Sequence, residues 1–538
     1  LKLGKLLEAL TQDEIEVGHR TYKMDSYTLI SSPESANPDI EISGVKYASN
    51  KVEPGDAFVA VVGFHTDGHK YIPDAIKRGA KLIVGANKAI LGELVNATEY
   101  NGAAVVWVEE ERRALTNLSA AFYAYPARQL GIIGVTGTDG KTTTTFLISD
   151  LLEFAGKSTG LMGTVDLKVG KRRWKNDSRQ TTLEAPEIQE LLAEMVHEGV
   201  DFAVLESSSH GLALRKLLKC YYDIAVLTNV TSEHLDFHGT VKQYRRDKAR
   251  LFELLFEDSR KDFLAFPKTA IINYDDPNAE LFIDTTHSAS RKLRETFRIL
   301  TYGLNPQADV FATNVESSAN GSRYTLNYDG KKVRLQLGLP GDFNVYNSLA
   351  AATVAINIGV ELETIAVGLA QVKGVPGRMQ VVDEGQGFTV VVDYAHTPES
   401  LSKVLKILRP LTKGKLIAVF GSAGERDRVK RPAQGRVAAE LADCAVFTNE
   451  DPRLEDPDQI LAEIAEGAKQ AGWHEGKDFL CIADRATAIE EALRRASSGD
   501  TVLLAGKGHE QCVIIGTEKV PWDEYTITQN ILRKLKQG

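Results

Sequence analysis

The chain has 538 residues, 43% hydrophobic and 25% charged, a balance that fits a folded globular protein too long for a single core, so roughly two to four domains are expected. A formal net charge of −9 gives no overall basic footprint for nucleic acid, and no apolar run approaches the about 20 residues a membrane helix needs, so neither a nucleic-acid partner nor membrane insertion is expected. Four scattered cysteines (Cys220, Cys444, Cys481, Cys512) lack CxxC spacing, which suggests neither a zinc site nor a disulfide framework and points to a reducing, cytoplasmic compartment.

The opening LKLGKLLEALTQDE turns charged too early for a signal peptide and reads as an amphipathic helix. From there apolar strand-like runs alternate with helical stretches, which predicts an α/β fold with mainly parallel sheets. Three segments are expected. The first, 1–110, carries PGDAFVAVVG and AIKRGAKLIVG, two strand-like runs with a helix between. The second, 111–372, holds a glycine-rich loop and a polar β-rich insertion near 308–338 with Asp329-Gly330 as a hairpin turn. The third, 373–538, opens after GVPGR and alternates strands with helices again.

The stretch GVTGTDGKTTTT (134–145) follows an apolar run and precedes Leu147, Leu151, Phe154 and Ala155 at helical spacing, so it joins a strand to a helix. Its glycines let backbone N–H groups approach an anion, Lys141 supplies charge for outer phosphates, Thr142 offers Mg²⁺ a hydroxyl, and the helix N-terminus adds partial positive charge. Val135 stands where the P-loop pattern has its first glycine, with Gly134 one residue early; the alternative is an ordinary glycine-rich turn.

Strand-like runs repeatedly end in polar clusters: FAVLE-SSSHG, IAVLTN-VTSEHLDFHG and AIIN-YDD in the second segment, then VVVD-YAHTP, LIAVFG-SAGERD, AVFTN-EDPR and VLLAG-KGHE in the third. Ligands of open α/β sheets bind beyond such strand ends. Glu206 sits where a carboxylate partner for phosphate-bound Mg²⁺ belongs, and a capping or surface role is its rival. His234 is a candidate further ligand, or a structural histidine. Lys248, in the charged run YRRDKARLF, reads by default as a solvated lysine. Asn273 and Asp276 either bond a nucleotide or form an Asx turn. Asn344 and Asn347 precede a helix expected to begin near Asn347, so capping competes with a binding role. In GERDRVKRP, Arg426, Arg428, Lys430 and Arg431 form either a carboxylate-binding cluster or a basic surface loop; with Arg453 and Glu510 they suggest a clamp for a zwitterion.

Taken in order, GVTGTDGKTTTT, Thr181-Thr182, ESSSHGLA, LTNVTSEHLDFHGT, YRRDKARLF, INYDD, LPGDFNVYN, GVPGRM, DYAHTP, GERDRVKRP, EDPR and GKGHE resemble the Mur ligases, ATP-dependent amide-forming enzymes of peptidoglycan synthesis. The PGDAFVA, GFHTDGHKYI and AIKRGAKLIV opening is similar to the MurE type, which adds a third residue to UDP-N-acetylmuramoyl-L-alanyl-D-glutamate. The resemblance implies a UDP-substrate domain (1–110), a central ATP-binding domain (111–372) and a C-terminal Rossmann-like, amino-acid-binding domain (373–538). It implies ATP and two Mg²⁺ as cofactors, a CO₂-derived carbamate on Lys248, a UDP-muramoyl dipeptide and a diamino acid as substrates, and is compatible with a monomer. Catalytic roles then fall to Lys141, Glu206, His234 and Lys248, and metal contacts to Thr142, Glu206, His234 and carbamoylated Lys248. ATP contacts are implied for Gly137, Thr138, Asp139, Gly140, Lys141, Thr142 and Thr143, and for Asn273, Asp276, Asn344, Arg378 and Asp393. Ser49, Thr181, Thr182, Ser208 and Lys216 match positions that hold the UDP substrate, and Arg426, Asp451, Arg453, Gly506 and Glu510 match those that hold the amino acid.

Three departures stand out. Ala48-Ser49-Asn50 replaces Asp-Ser-Arg; Lys216 replaces an arginine, with Arg215 one position early; and Glu450-Asp451-Pro452-Arg453 replaces the diaminopimelate pattern Asp-Asn-Pro-Arg. The extra charge of Asp451 would favour an ammonium and so L-lysine or L-ornithine, whereas the retained Arg453 favours meso-diaminopimelate. A folylpolyglutamate or cyanophycin synthetase-like ligase and a non-catalytic nucleotide-binding partner are the rival readings.

Overall fold

The computed structural model describes residues 1–11, 14–17, 20–23, 27–32, 34–63, 66–98, 100–178, 180–231, 235–291, 296–318, 321–372 and 374–537. The chain divides into two compact units, one of residues Leu1–Val310 with Ala350–Glu361, the other of Phe311–Leu349 with Leu362–Gly538. The fold is α/β with mainly parallel sheets. No helix among the described residues is long and apolar enough to cross a membrane.

The first unit begins with the short helix Leu3–Glu8, whose Leu3, Leu6 and Leu7 are buried, as the amphipathic pattern predicts. A five-stranded sheet follows, in the order Tyr27–Leu29, Ala104–Val108, Leu82–Gly85, Ala57–Ala60, Val45–Lys46, parallel except for its first strand. The main sheet of this unit places six parallel strands side by side: Thr159–Met162, Phe202–Glu206, Gly131–Thr136, Ile224–Leu227, Lys268–Asn273 and Phe297–Gly303. Helices cover such sheets on both faces, which is why the strands read as unbroken apolar runs rather than alternating ones. All six residues of Gly131–Thr136 are buried. One side packs Leu205, Leu227, Tyr244, Phe252 and Phe282 into a single core. Because the strands are parallel, Thr136, Glu206, Leu227 and Asn273 finish on one edge, and that edge carries the glycine-rich loop.

The second unit contains the strands Gly321–Tyr328 and Lys331–Leu337, joined as a hairpin with Tyr328 opposite Lys331. Asp329 and Gly330 both adopt positive φ (47° and 72°), the tight-turn geometry expected of Asp-Gly. A six-stranded sheet follows, ordered Gln380–Val381, Thr389–Asp393, Thr501–Ala505, Leu416–Phe420, Cys444–Phe447, Phe479–Cys481 and parallel apart from the first strand. One sequence expectation is corrected: the helix placed near Asn347 runs from Asp342 to Ile358. Gly341, at φ +91°, turns the chain directly into it after Pro340, so Asn344 and Asn347 lie inside its first turns and neither is its cap.

Candidate active site

The glycine-rich loop is held from below by the tip of the neighbouring strand. Asn229 accepts from Thr138 N–H through its carbonyl (2.7 Å) and from Asp139 N–H through Oδ1 (3.1 Å). Its Nδ2 and the Thr228 hydroxyl donate back to Asp139 O, at 3.0 and 2.6 Å. Gly137 sits at φ +151°, and a Cβ there would stand 1.8 Å from Thr228 Oγ1; Gly140, at φ +85°, leads directly into the helix Lys141–Phe154. Val135 is an ordinary buried strand residue, so the working glycines of the loop are Gly137 and Gly140.

Lys141 folds over the loop, donating to Gly137 O (2.9 Å) and Thr138 O (2.8 Å). Lys248 is not solvated, against the default expectation. It is 1% exposed and donates to the same Gly137 carbonyl at 2.6 Å. The helix Val241–Leu254 exposes Lys242 and Arg246, but Tyr244, Asp247, Lys248, Leu251 and Phe252 are all buried on its inner face. Asn273 and Asp276 reinforce the adjoining strand tip: Asn273 Nδ2 donates to Thr228 O (2.7 Å) and Asp276 accepts from Val230 N–H (2.6 Å). The Asx turn is also present, with Asp275 N–H donating to Asn273 Oδ1 at 3.1 Å.

Glu206 lies beside Val135 in the parallel register and is 2% exposed. Thr164 donates to both of its carboxylate oxygens, through N–H to Oε1 and through Oγ1 to Oε2, each at 3.0 Å. Each oxygen keeps a lone pair for a cation. Among the described residues no three acidic, histidine or cysteine side chains cluster as metal ligands. Mg²⁺ takes few protein ligands, mostly oxygens, and leans on phosphates and water. Thr142, on the first helical turn, and Glu206 offer oxygen atoms of that kind. His234 lies outside the described residues.

A second group adjoins Glu206. Thr182 donates to Glu206 O (3.0 Å) and shares a hydrogen bond with Ser208 (2.9 Å), while the Thr164 hydroxyl, its proton on Glu206, accepts from Thr181 Oγ1 (3.0 Å). Lys216 is buried and bonds Glu184 (2.8 Å) and Gln180 (3.0 Å). Arg215, at φ +56°, pairs with Glu110 at 2.9 Å. Lys216 therefore faces the Thr182 group and Arg215 faces Glu110. Ser49 opens the turn Ser49–Lys51, which follows the strand Val45–Lys46 of the small N-terminal sheet.

In the second unit, Asn344 Nδ2 donates to Pro340 O and its Oδ1 accepts from Asn347, at 2.8 and 3.0 Å. Asp393 accepts from Met379 and Ala395 N–H groups at 2.8 and 2.9 Å; burial pushes its carboxyl up, with Arg378 opposing. Of the GERDRVKRP cations, Arg428 and Arg431 are taken up by Glu463 and, for Arg431, Glu455 as well, whereas Arg426 is exposed.

The EDPR and GKGHE strand tips meet through a residue that sequence reasoning missed. Lys507, fully buried, donates to Asp451 Oδ1 (2.9 Å) and Glu510 Oε2 (2.6 Å). Ile514 N–H donates to the same Asp451 oxygen at 2.9 Å. The added charge at Asp451 is thus held by an internal cation and a backbone N–H. Arg453 keeps Nε buried without a hydrogen-bond partner. Glu450 is buried beside Gly506, and desolvation pushes its carboxyl up to about 7, with Lys430 and Lys507 opposing. A cation between two acids was visible in GKGHE only as a lysine among glycines, with nothing to mark its depth.

Comparison with known proteins joins these parts. Residues 41–123 match the Mur ligase family, catalytic domain; 135–355 match the Mur ligase middle domain; and 377–508 match the Mur ligase, glutamate ligase domain. A UDP-N-acetylmuramyl-tripeptide synthetase of Roseiflexus sp. (strain RS-1) is 51% identical over 502 residues, 93% of this chain and 96% of that protein. The chain belongs to the Mur ligase family. Mur ligases are ATP-dependent ligases that form amide bonds between small molecules in peptidoglycan synthesis, and this Mur ligase shares that activity. A UDP-N-acetylmuramoyl-L-alanyl-D-glutamate–2,6-diaminopimelate ligase of Geobacillus kaustophilus (strain HTA426) is 40% identical, over 93% of this chain and 96% of its own. A solved structure of a protein with the same activity in its title superposes with a TM-score of 0.65 at 31% identity, covering 93% of this Mur ligase and 96% of that chain.

Proposed function

We propose that this Mur ligase joins meso-diaminopimelate to the D-Glu side-chain carboxylate of UDP-N-acetylmuramoyl-L-alanyl-D-glutamate, forming the muramoyl tripeptide in the cytoplasm. One observation carries the choice of amino acid: Asp451 is bonded to Lys507 and to Ile514 N–H, while the Arg453 guanidinium keeps a buried donor, Nε, for a carboxylate. The names of the Geobacillus relative and of the superposed structure support the same choice. The division 1–110, 111–372 and 373–538 belongs to this proposal, supported by the three matched stretches.

In this reading the D-Glu carboxylate attacks the γ-phosphate of ATP, breaking its bond to the β-phosphate and giving an acyl phosphate and ADP; the amine then attacks the acyl carbon, and phosphate and the amine's proton leave. Lys141 exchanges its loop carbonyls for the γ-phosphate, where its charge stabilises the transferring group. Mg²⁺, when bound, neutralises phosphate charge; Thr142, Glu206, His234 and Lys248 as a carbamate would hold it. Gly137, Thr138, Asp139, Gly140 and Thr143 shape the loop, and Asn273, Asp276, Asn344, Arg378 and Asp393 contact ATP. Thr181, Thr182, Ser208, Lys216 and Ser49 hold the UDP substrate; Arg426, Asp451, Arg453, Gly506 and Glu510 hold the amino acid.

The test is ATP-dependent phosphate release with the UDP-muramoyl dipeptide and meso-diaminopimelate, L-lysine or L-ornithine in parallel, with product mass determined. Release with meso-diaminopimelate is expected. Release with L-lysine or L-ornithine alone would overturn the choice of amino acid, and release with none would overturn the tripeptide-forming reading.

A further inference from the structure

Behind the phosphate loop three buried side chains are bonded in series. Asp247 Oδ2 lies 2.8 Å from His238 Nδ1, and His238 Nε2 lies 3.0 Å from Ser209 Oγ. The His238 side chain is fully buried, Asp247 is 4% exposed at its side chain and Ser209 is 2% exposed. As an acceptor-only group, the Asp247 carboxylate fixes a proton on Nδ1 and turns Nε2 toward the serine hydroxyl. The connectivity is that of a hydrolase triad, but a serine this deep presents no oxygen to a substrate. Its work has to be structural orientation.

What it orients is legible from the elements it joins. Asp247 lies on the helix Val241–Leu254, between Tyr244 and Lys248 on one inward stripe. Tyr244 OH meets Thr138 Oγ1 at 3.0 Å and Lys248 Nζ donates to Gly137 O at 2.6 Å, so two residues flanking Asp247 touch the phosphate loop. Asp247 Oδ1 is held by Gln243 (3.1 Å) and Arg250 (3.3 Å), and Arg250 also donates to Ala213 O at 3.3 Å. Ser209 opens the segment Ser209–Ala213, directly after Ser208, which bonds Thr182. A continuous bonded path therefore runs from the Lys248 helix to the Thr182 group.

We propose that Ser209, His238 and Asp247 are positioning residues, a buried relay that fixes the register of the Lys248 helix against the phosphate loop and couples it to the segment bearing Thr182 and Ser208. The functional consequence rests on the reading of Lys248 and Thr182 given above. The carboxylate end governs Lys248; the serine end governs the substrate-side segment.

The test compares the full-length wild type with Asp247→Asn, which keeps the side-chain shape, and Ser209→Ala, which removes one oxygen. Three readouts are taken: steady-state kinetics, the ¹³C carbamate resonance after equilibration with ¹³C-bicarbonate, and amide hydrogen exchange of segment 241–254. Asp247→Asn is expected to lower kcat about tenfold or more, to diminish the carbamate resonance and to accelerate exchange in that segment, as loss of an orienting partner does. Ser209→Ala is expected to raise KM for the UDP-muramoyl dipeptide about fivefold or more while kcat stays within about twofold. Wild-type exchange and wild-type kcat in Asp247→Asn would overturn the proposal, as would an unchanged KM in Ser209→Ala. If the wild type itself shows no carbamate resonance, the carbamate reading of Lys248 falls, and exchange and kinetics alone decide the relay.

Discussion

Lys141 and Lys248 converge on one atom: both ammonium groups donate to the Gly137 carbonyl, at 2.9 and 2.6 Å. Two like charges sharing an acceptor repel, the more so because Lys248 is buried. Converting Lys248 to a carbamate would replace that repulsion with attraction toward Lys141 and toward a bound cation. Lys141→Ala and Lys248→Ala are each expected to lower kcat at least about 10²–10³-fold, the loss typical of a deleted charge-stabilising donor. Wild-type turnover should also fall in CO₂-depleted buffer and recover with bicarbonate. Turnover indifferent to bicarbonate would remove the carbamate from the account, and wild-type-like kcat in either variant would remove that lysine.

Gly137→Ala is expected to abolish nucleotide binding. A Cβ at this position would stand 1.8 Å from Thr228 Oγ1 and 3.0 Å from Asn229 O, and the φ of +151° is rarely adopted by residues with side chains. The tip Thr228-Asn229 is tied to the loop by four hydrogen bonds, to Thr138 and Asp139, so it cannot withdraw alone. Titration with a fluorescent ATP analogue checks this; binding within about threefold of wild type would show that the loop relaxes where the geometry says it is pinned.

The contrast between these residues shows what the sequence could convey. Glu206 and Asn229 fall at strand ends, and parallel strands finish on one edge, so their convergence follows from apolar runs ending in polar residues. The Asp329-Gly330 hairpin was equally legible, because the turn demands positive φ at two adjacent residues. Lys248 was misread by its neighbours: in YRRDKARLF the charges are consecutive, and only the helical period separates the exposed Lys242 and Arg246 from the buried Asp247 and Lys248. Lys507 and Asp451 are 56 residues apart, and no local pattern announces an ion pair made by two loops of different strands. The helix expected to begin near Asn347 starts at Asp342 instead, because Gly341 at positive φ has already turned the chain.

Lys507→Met is expected to be costly and to spoil amino-acid binding. It would leave the buried Asp451 carboxylate without its cation and release Glu510, and breaking a buried pair from one side typically costs about 3–5 kcal/mol. The double variant Lys507→Met/Asp451→Asn removes both charges and should recover part of that stability while KM for the amino acid stays raised, because Glu510 is still unanchored. Denaturant midpoints and KM for the diamino acid check the two halves. A double variant no more stable than the single one would show that Lys507 matters by its bulk rather than its charge.

Glu450 should make the stability of this protein fall with pH across the neutral range. Its carboxyl is buried, Oε2 has no hydrogen-bond partner, and desolvation raises it from the ordinary value of 4.5 to about 7. Between those two values the native state keeps a proton that the unfolded chain has released, so the native state binds more protons and stability declines as pH rises. Below the lower value both states are protonated and above the upper one both are ionised, so the decline is confined to that window. Its full size is on the order of 3 kcal/mol. Glu450→Gln abolishes the titration while keeping the volume. Any constant cost of burying the new amide cancels when the variant's advantage is compared between two pH values. The advantage of Glu450→Gln over wild type should therefore grow by about 2–3 kcal/mol from pH 4.5 to pH 8, read from denaturant midpoints. A difference that stays level over that range would mean that Lys430 and Lys507 hold Glu450 ionised in the folded protein.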